Sequence, residues 1–201
     1  TPIIDYRGYA DMQVGGNVHP RFFSFSTKAR LLKANGQLDN FVMLTVDGDR
    51  YGLFSMTDPR LQQAFHQMDD WLTSIREDAL ADAPIEKIRR ARPVDLVDAC
   101  WTRDPEPIRI AEEQTGSDTP SRCQQLYPSG SFPRGVAGAD IRSDIIKCQL
   151  KPIDPAEYRE AFTRDEAAHL SRIFPEGVCD WSKPGVEQRG LRGTWLVVPT
   201  S

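Results

Sequence analysis

Hydrophobic residues in the first half of the chain follow strand-like and helix-like periods in turn. The apolar-to-polar run over residues 2–8 ends in glycine and predicts a strand. Residues 22–34 carry apolar side chains three and four positions apart, which predicts a helix, and Asn35-Gly36 supplies its C-terminal stop. Residues 41–46 are apolar throughout and predict a strand that is buried on both faces.

Two more helices follow this second strand. Residues 59–76 place their apolar side chains on one side, and residues 83–90 form a shorter helical segment. Strands and helices in this order indicate an α/β sheet.

The second half of the chain has a different pattern. Residues 93–144 are interrupted by proline and glycine throughout and predict mostly loop. A capping box at Thr163–Glu166 predicts a further helix, and residues 195–198 are compatible with a last strand. We therefore expect two regions, with residues 1–92 forming an α/β core and residues 93–201 forming a loop-rich region.

All four cysteines lie in the second region, and none has the C-x-x-C spacing of a zinc or redox site. An even number in an irregular region predicts two disulfides in a secreted or periplasmic protein, with four buried cytosolic thiols as the alternative. Three connectivities are open. We favour Cys100 with Cys123 and Cys148 with Cys179, because each pair closes a loop of moderate length.

Composition excludes several classes of protein. The net charge of −4 argues against a nucleic-acid partner. No apolar run approaches the roughly 20 residues that span a bilayer, so an integral membrane protein is excluded. No His, Cys and carboxylate spacing indicates a catalytic metal or a cofactor, while a structural Ca²⁺ stays open.

The run from Thr1 to Asp11 is Thr-Pro-Ile-Ile-Asp-Tyr-Arg-Gly-Tyr-Ala-Asp. It resembles the penultimate strand of an α/β-hydrolase, which is followed by the acid of the catalytic triad. The resemblance implies that Asp11 is this acid and that Asn40–Val46 is the last strand of the sheet. In such open sheets the loops beyond the carboxyl ends of the strands meet at one crevice, where the acid orients a histidine that serves a serine nucleophile.

The choice of histidine departs from the resemblance, because Tyr51 stands where such enzymes carry it. We favour His19 as the base, since it follows Asp11 closely in the chain. His66 is the alternative base. Simpler interpretations are that His19 caps the following helix and that Asp11 is a turn aspartate bonded to its own backbone.

The serine nucleophile of such an enzyme is not in this sequence, because no Gly-x-Ser-x-Gly motif occurs. The hypothesis therefore places the nucleophile and the oxyanion hole on an upstream chain of the same precursor. The start at Thr1, without an initiator methionine, fits a processed chain. The expected substrate is a small-molecule or oligomeric ester or amide.

The second region carries a family resemblance of its own. Residues 145–152 and 174–186, together with Met68-Asp69-Asp70-Trp71-Leu72, are similar to the C-terminal signature of a secreted bacterial family, the tannase-like group DUF6351. The resemblance covers nearly the whole chain. It implies a serine hydrolase of α/β-hydrolase fold that cleaves ester or amide bonds.

Two hypotheses from other classes stay open. Thr1 is a candidate N-terminal nucleophile of an amidohydrolase, with its own amine as the base, although Pro2 beside it removes a backbone donor. The second hypothesis is that the chain is a non-catalytic accessory or binding module of a larger enzyme. It applies above all to the region from residue 93.

Overall fold

The computed structural model describes residues 1–14, 18–48, 56–116, 121–130, 132–158 and 160–189. The chain divides into two compact units, Thr1–Pro133 and Arg134–Ser201. Within the described part of the chain, no helix has the length and apolar character that crossing a membrane requires.

The first unit contains a four-stranded mixed sheet with helices between its strands. Its elements are β1 (Ile3–Tyr9), α1 (Phe22–Asn35), β2 (Phe41–Asp47), α2 (Pro59–Glu77), α3 (Pro84–Ala91), β3 (Ala99–Trp101), β4 (Arg109–Ala111) and α4 (Arg122–Leu126). The strand order is β1-β2-β3-β4, with parallel pairing up to β3 and antiparallel pairing between β3 and β4. The predicted α/β class is confirmed, and the helix α1 ends as predicted, with Gly36 at a φ of 72°.

The resemblance implied that β2 is the last strand of the sheet, and this is wrong, because β3 and β4 extend the sheet beyond it. Both added strands have three residues, which is too short for an alternating pattern to be visible in the sequence. The break between the two compact units falls after Pro133, and the boundary predicted after residue 92 lies within the first unit.

One face of the sheet packs against α2 and α3. Alternate side chains of β2 point to this face. The buried residues of this core are Val42, Leu44, Val46, Ala64, Trp71, Ile88, Leu96, Ala99 and Trp101. The strand β2 is buried along residues 41–46, which confirms that it is covered on both sides.

The opposite face is covered by the segment that follows β4. Cys100 of β3 forms a disulfide with Cys123 of α4, and Ile110 and Tyr127 complete a second buried cluster. The disulfide therefore fixes an irregular segment onto the sheet. The first of the two favoured cysteine pairings is confirmed.

The second unit is built around the other disulfide. The helix α5 (Pro133–Val136) begins at the last residue of the first unit. The other elements are β5 (Gln149–Lys151), a 3-10 turn (Pro155–Glu157), α6 (Arg164–Ile173) and β6 (Val178–Asp180). Antiparallel β5 and β6 are joined by the disulfide Cys148–Cys179, as favoured. The predicted capping box of Thr163 and Glu166 is present at the start of α6. The strand predicted at residues 195–198 lies outside the described residues.

Candidate active site

The parallel strands of the first unit end at one edge of the sheet, and Asp11 lies just beyond β1 at this edge. The register pairs Tyr9 with Asp47, so β1 and β2 end at the same level. A Cβ on Gly48 would lie 2.7 Å from the carbonyl oxygen of Tyr9, so the chain leaves β2 in close contact with the end of β1. Loops that follow such strand ends form the usual site of an open α/β sheet.

Backbone groups from two distant segments hold the carboxylate of Asp11. Its Oδ1 accepts the N–H of Arg21 at 2.8 Å, and its Oδ2 accepts the N–H of Gly130 at 3.1 Å. Arg21 is the N-cap residue of α1, so the carboxylate also lies where the helix dipole favours a negative charge. Asp11 thus binds remote backbone, in contrast to the interpretation as a turn aspartate bonded to its own segment.

Gly130 contributes to the site by having no side chain. A Cβ at this position would lie 2.9 Å from the backbone oxygen of Asp11. Gly130 stands 119 positions from Asp11 along the chain. The sequence marks it as a turn glycine and gives no signal that joins it to Asp11.

The side chain of Arg21 ties the site to the centre of the sheet. Its guanidinium is buried, donates to the Tyr127 carbonyl, and reaches Gln114 Oε1 at 3.0 Å. Gln114 is itself buried and donates to carbonyls of β2 and β3 at 3.0 and 2.8 Å. Burial lowers the pKa of Arg21, while the charge of Asp11 opposes that shift.

The two candidate histidines lie in different elements: His19 is in the loop that follows Asp11, and His66 is on α2. His19 is exposed in the loop between Asp11 and α1, and its carbonyl accepts from Nη1 of Arg7 at 3.3 Å. This contact joins the loop to the strand β1. His66 is exposed on α2. Tyr51, which stands at the histidine position of the resemblance, lies outside the described residues.

Thr1 lies at the other end of β1. Its carbonyl accepts from Nδ2 of Asn40 at 3.0 Å, just before β2 begins. Seven residues of strand separate the two ends of β1, which is roughly 20–25 Å of extended chain. A site at Thr1 would therefore use different residues from a site at Asp11.

A cleft of about 350 Å³ also lies near the amino end of β2. Lys28 lies in this cleft, where its Nζ is 2.6 Å from Asp98 Oδ2 and 2.7 Å from the Gln114 carbonyl. The two oxygens of Asp98 also accept backbone N–H groups of Met43 and Gln114. Lys28 and Asp98 bind each other and the backbone around them, so we interpret them as an ion pair that stabilises the fold and not as a ligand site.

A third polar cluster surrounds Asp58, the N-cap residue of α2. Arg60 binds both of its carboxylate oxygens at 2.9 and 2.8 Å, and the Tyr6 hydroxyl donates to it at 2.5 Å. Burial alone would raise the pKa of Asp58, but the hydrogen bonds from Arg60 and Tyr6 outweigh it and hold the pKa below its usual value. Burial, together with Asp58, raises the pKa of Tyr6.

The first unit is thus a mixed α/β domain with an anchored carboxylate at the carboxyl edge of its sheet. The chain belongs to the tannase-like family of unknown function DUF6351, whose family model matches residues 1–190. That description is consistent with an esterase-type hydrolase. No curated protein and no solved structure matches the chain significantly. Over the described residues, no three His, Cys, Asp or Glu side chains come together as a metal site.

Proposed function

We propose that this chain is the C-terminal part of a secreted or periplasmic ester hydrolase of the α/β-hydrolase type. Asp11 is the acid of its catalytic triad, and His19 is the base. The serine and the oxyanion hole lie on an upstream segment of the same precursor. The observation that carries this proposal is the carboxylate of Asp11, held by Arg21 and Gly130 at the carboxyl edge of parallel strands.

The hydrogen bonds of Asp11 leave it able to act on a histidine. Each carboxylate oxygen has about two lone pairs, and each accepts one backbone N–H here. One lone pair therefore remains on each oxygen, and in this proposal one of them accepts the Nδ1–H of His19. A carboxylate in this position fixes the tautomer of the imidazole and stabilises the imidazolium that forms during the reaction.

The reaction then follows the usual order of acyl transfer. The Nε2 of His19 takes the proton of the serine hydroxyl as the oxygen attacks the ester carbonyl. The imidazolium returns that proton to the leaving alcohol, and an acyl-enzyme remains. Water, deprotonated by the same imidazole, attacks the acyl-enzyme, and the imidazolium returns that proton to the serine oxygen as the acid leaves.

Two features of the chain support an upstream nucleophile and an oxidising compartment. The sequence contains no Gly-x-Ser-x-Gly motif. The two disulfides are typical of secreted and periplasmic proteins. Intact-mass analysis of the purified native protein tests the first point, since it should show a second, larger polypeptide or one longer chain. A serine-directed phosphonate should label that upstream sequence.

Substitution of Asp11 tests the triad directly in the complete enzyme. Asp11→Asn keeps the size of the side chain but removes the charge, and we expect kcat on p-nitrophenyl acetate to fall about 10³- to 10⁴-fold. The matched control is Asp70→Asn on the exposed side of α2, which should stay within about threefold. An Asp11→Asn enzyme that keeps more than a tenth of the wild-type kcat would contradict the assignment.

Comparing two histidine variants identifies the base. We expect His19→Ala to reduce kcat as strongly as Asp11→Asn, and the double variant to be no slower than either single variant, because the members of a triad act as one unit. His66→Ala should keep wild-type turnover. The opposite result would transfer the role of base to His66.

A further inference from the structure

Arg103 lies at the same edge of the sheet as Asp11. It follows β3 by two residues, and β3 runs parallel to β2. Its guanidinium carbon is 5.1 Å from the ring centroid of Tyr9 and 4.9 Å from that of Tyr127. Tyr9 is the last residue of β1, two positions before Asp11. The cation is therefore placed beside the candidate active site by residues of the sheet itself.

The two rings form a fixed support for this guanidinium. The Tyr127 hydroxyl donates to the Trp101 carbonyl at 2.6 Å, and the Tyr9 hydroxyl donates to the Pro128 carbonyl at 2.6 Å. Tyr127 is fully buried, and its ring centroid lies 5.1 Å from that of Tyr9. Above these rings Arg103 itself is exposed to solvent.

The way Arg103 is held leaves most of its hydrogen-bond donors available. A cation–π contact attracts the charge of the guanidinium without supplying an oxygen acceptor to its N–H groups. The charge of Arg103 opposes the rise that burial causes in the pKa of Tyr127. Among the described carboxylates, none forms an ion pair with Arg103. Other arginines of the chain are paired with a carboxylate: Arg7, Arg60, Arg89, Arg90 and Arg142.

We propose that Arg103 binds a free carboxylate on the substrate, so that the enzyme prefers esters that carry a second, anionic acid group. This inference rests on the proposed ester hydrolysis and names its substrate class. A planar guanidinium presents paired N–H groups that match the two oxygens of a carboxylate. Because the aromatic rings already hold its orientation, little freedom is lost when the ligand binds.

Paired substrates test this proposal in the complete enzyme. The measured quantity is kcat/KM for mono-p-nitrophenyl succinate divided by kcat/KM for p-nitrophenyl acetate, a ratio that does not depend on how much enzyme is folded. We expect Arg103→Gln to lower this ratio about tenfold or more, through KM for the succinate ester. Arg103→Lys, which keeps the charge but loses the paired donors, should lie between Arg103→Gln and the wild type.

Arg89→Gln is the matched control, because it removes one exposed cation from the same unit. Its ratio should equal that of the wild type. An Arg103→Gln ratio equal to that of the wild type, even with both rates reduced, would overturn the proposal, and so would an equal change in Arg89→Gln.

Binding without turnover separates this inference from the proposed function. Levulinate is a keto acid that carries one carboxylate and no ester bond, and calorimetry measures its binding to the wild type and to Arg103→Gln. Binding that depends on Arg103 in a protein that cleaves no ester would refute the hydrolase and keep the anion site. Ester turnover with an unchanged substrate ratio would refute the anion site alone.

Discussion

At the residue scale, the anchoring of Asp11 depends on a glycine whose side-chain space is occupied by backbone. In Gly130→Ala the new methyl group meets the Asp11 backbone oxygen at 2.9 Å, so the loop must move and its N–H must leave Oδ2. We expect a loss of about 1–3 kcal/mol in the free energy of unfolding, measured in urea. We expect kcat of the complete enzyme to fall as well, because one hydrogen bond that orients the acid is lost.

Gly135→Ala is the control for this change. A Cβ at Gly135 has no neighbour within 4 Å, and the residue lies in α5, where alanine is favoured over glycine. Its free energy of unfolding should lie within about 0.5 kcal/mol of the wild-type value or slightly above it. Equal effects at the two glycines would show that the contact with Asp11 has no energetic role.

The ion pair of Asp58 and Arg60 gives a prediction on pH. Because the folded-state pKa of Asp58 lies below its ordinary value of 3.8, the carboxylate stabilises the fold above that pH. The stabilisation is lost as pH falls through the lower, folded-state pKa. Asp58→Asn keeps an N-cap side chain but removes the charge. We expect it to cost about 2–4 kcal/mol at pH 7.

Urea unfolding of both proteins between pH 2 and pH 7 measures this difference. The gap between the wild type and Asp58→Asn should narrow as pH falls below 3.8, because the unfolded wild-type chain then takes up a proton more readily than the folded one. Asp70→Asn, on the exposed side of the same helix, should track the wild type at every pH. A gap that persists at full size to pH 2 would show that the charge of Asp58 is not its source.

At the scale of elements, the sequence predicts the helices and strands that are long enough to show a regular hydrophobic period. The strand β2 and the helices α1 and α2 were predicted within one residue of their observed ends, because each repeats its pattern over several positions. The strands β3 and β4 were missed, since three residues show no period. Their pairing is fixed instead by the disulfide of Cys100 and by the remote residues that cover it.

The candidate site was predictable to the same extent. The resemblance to an α/β-hydrolase singled out Asp11, and its position just beyond β1 was predictable because a strand and its following loop are adjacent in sequence. Gly130 and Arg103 reach the same edge from segments about 90 to 120 positions away, and the sequence of one protein does not encode such contacts in any local pattern. The roles of Asp11 and His19 stay predictions until the variants are measured.

Trp71 joins two elements that the sequence predicted separately. It is fully buried on α2, and its Nε1 donates to the Ile88 carbonyl of α3 at 2.8 Å. Trp71→Phe removes that donor and leaves a void, so we expect a loss of about 2–4 kcal/mol in urea unfolding. Leu72→Ala, at a neighbouring position that is 48% exposed, should cost less than about 1 kcal/mol. Equal losses would mean that Trp71 does not hold the helices together.

At the scale of the whole molecule, each disulfide lies within one of the two units, at separations of 23 and 31 residues. A disulfide that closes a loop of this length is expected to add about 3–4 kcal/mol to the free energy of unfolding. We expect replacement of Cys148 and Cys179 by alanine to raise amide hydrogen exchange in the second unit while the first keeps its protection. Replacement of Cys100 and Cys123 should have the reverse effect. Mass spectrometry of peptides from each unit measures this exchange. A rise in both units after either replacement would show that the chain unfolds as a single cooperative body.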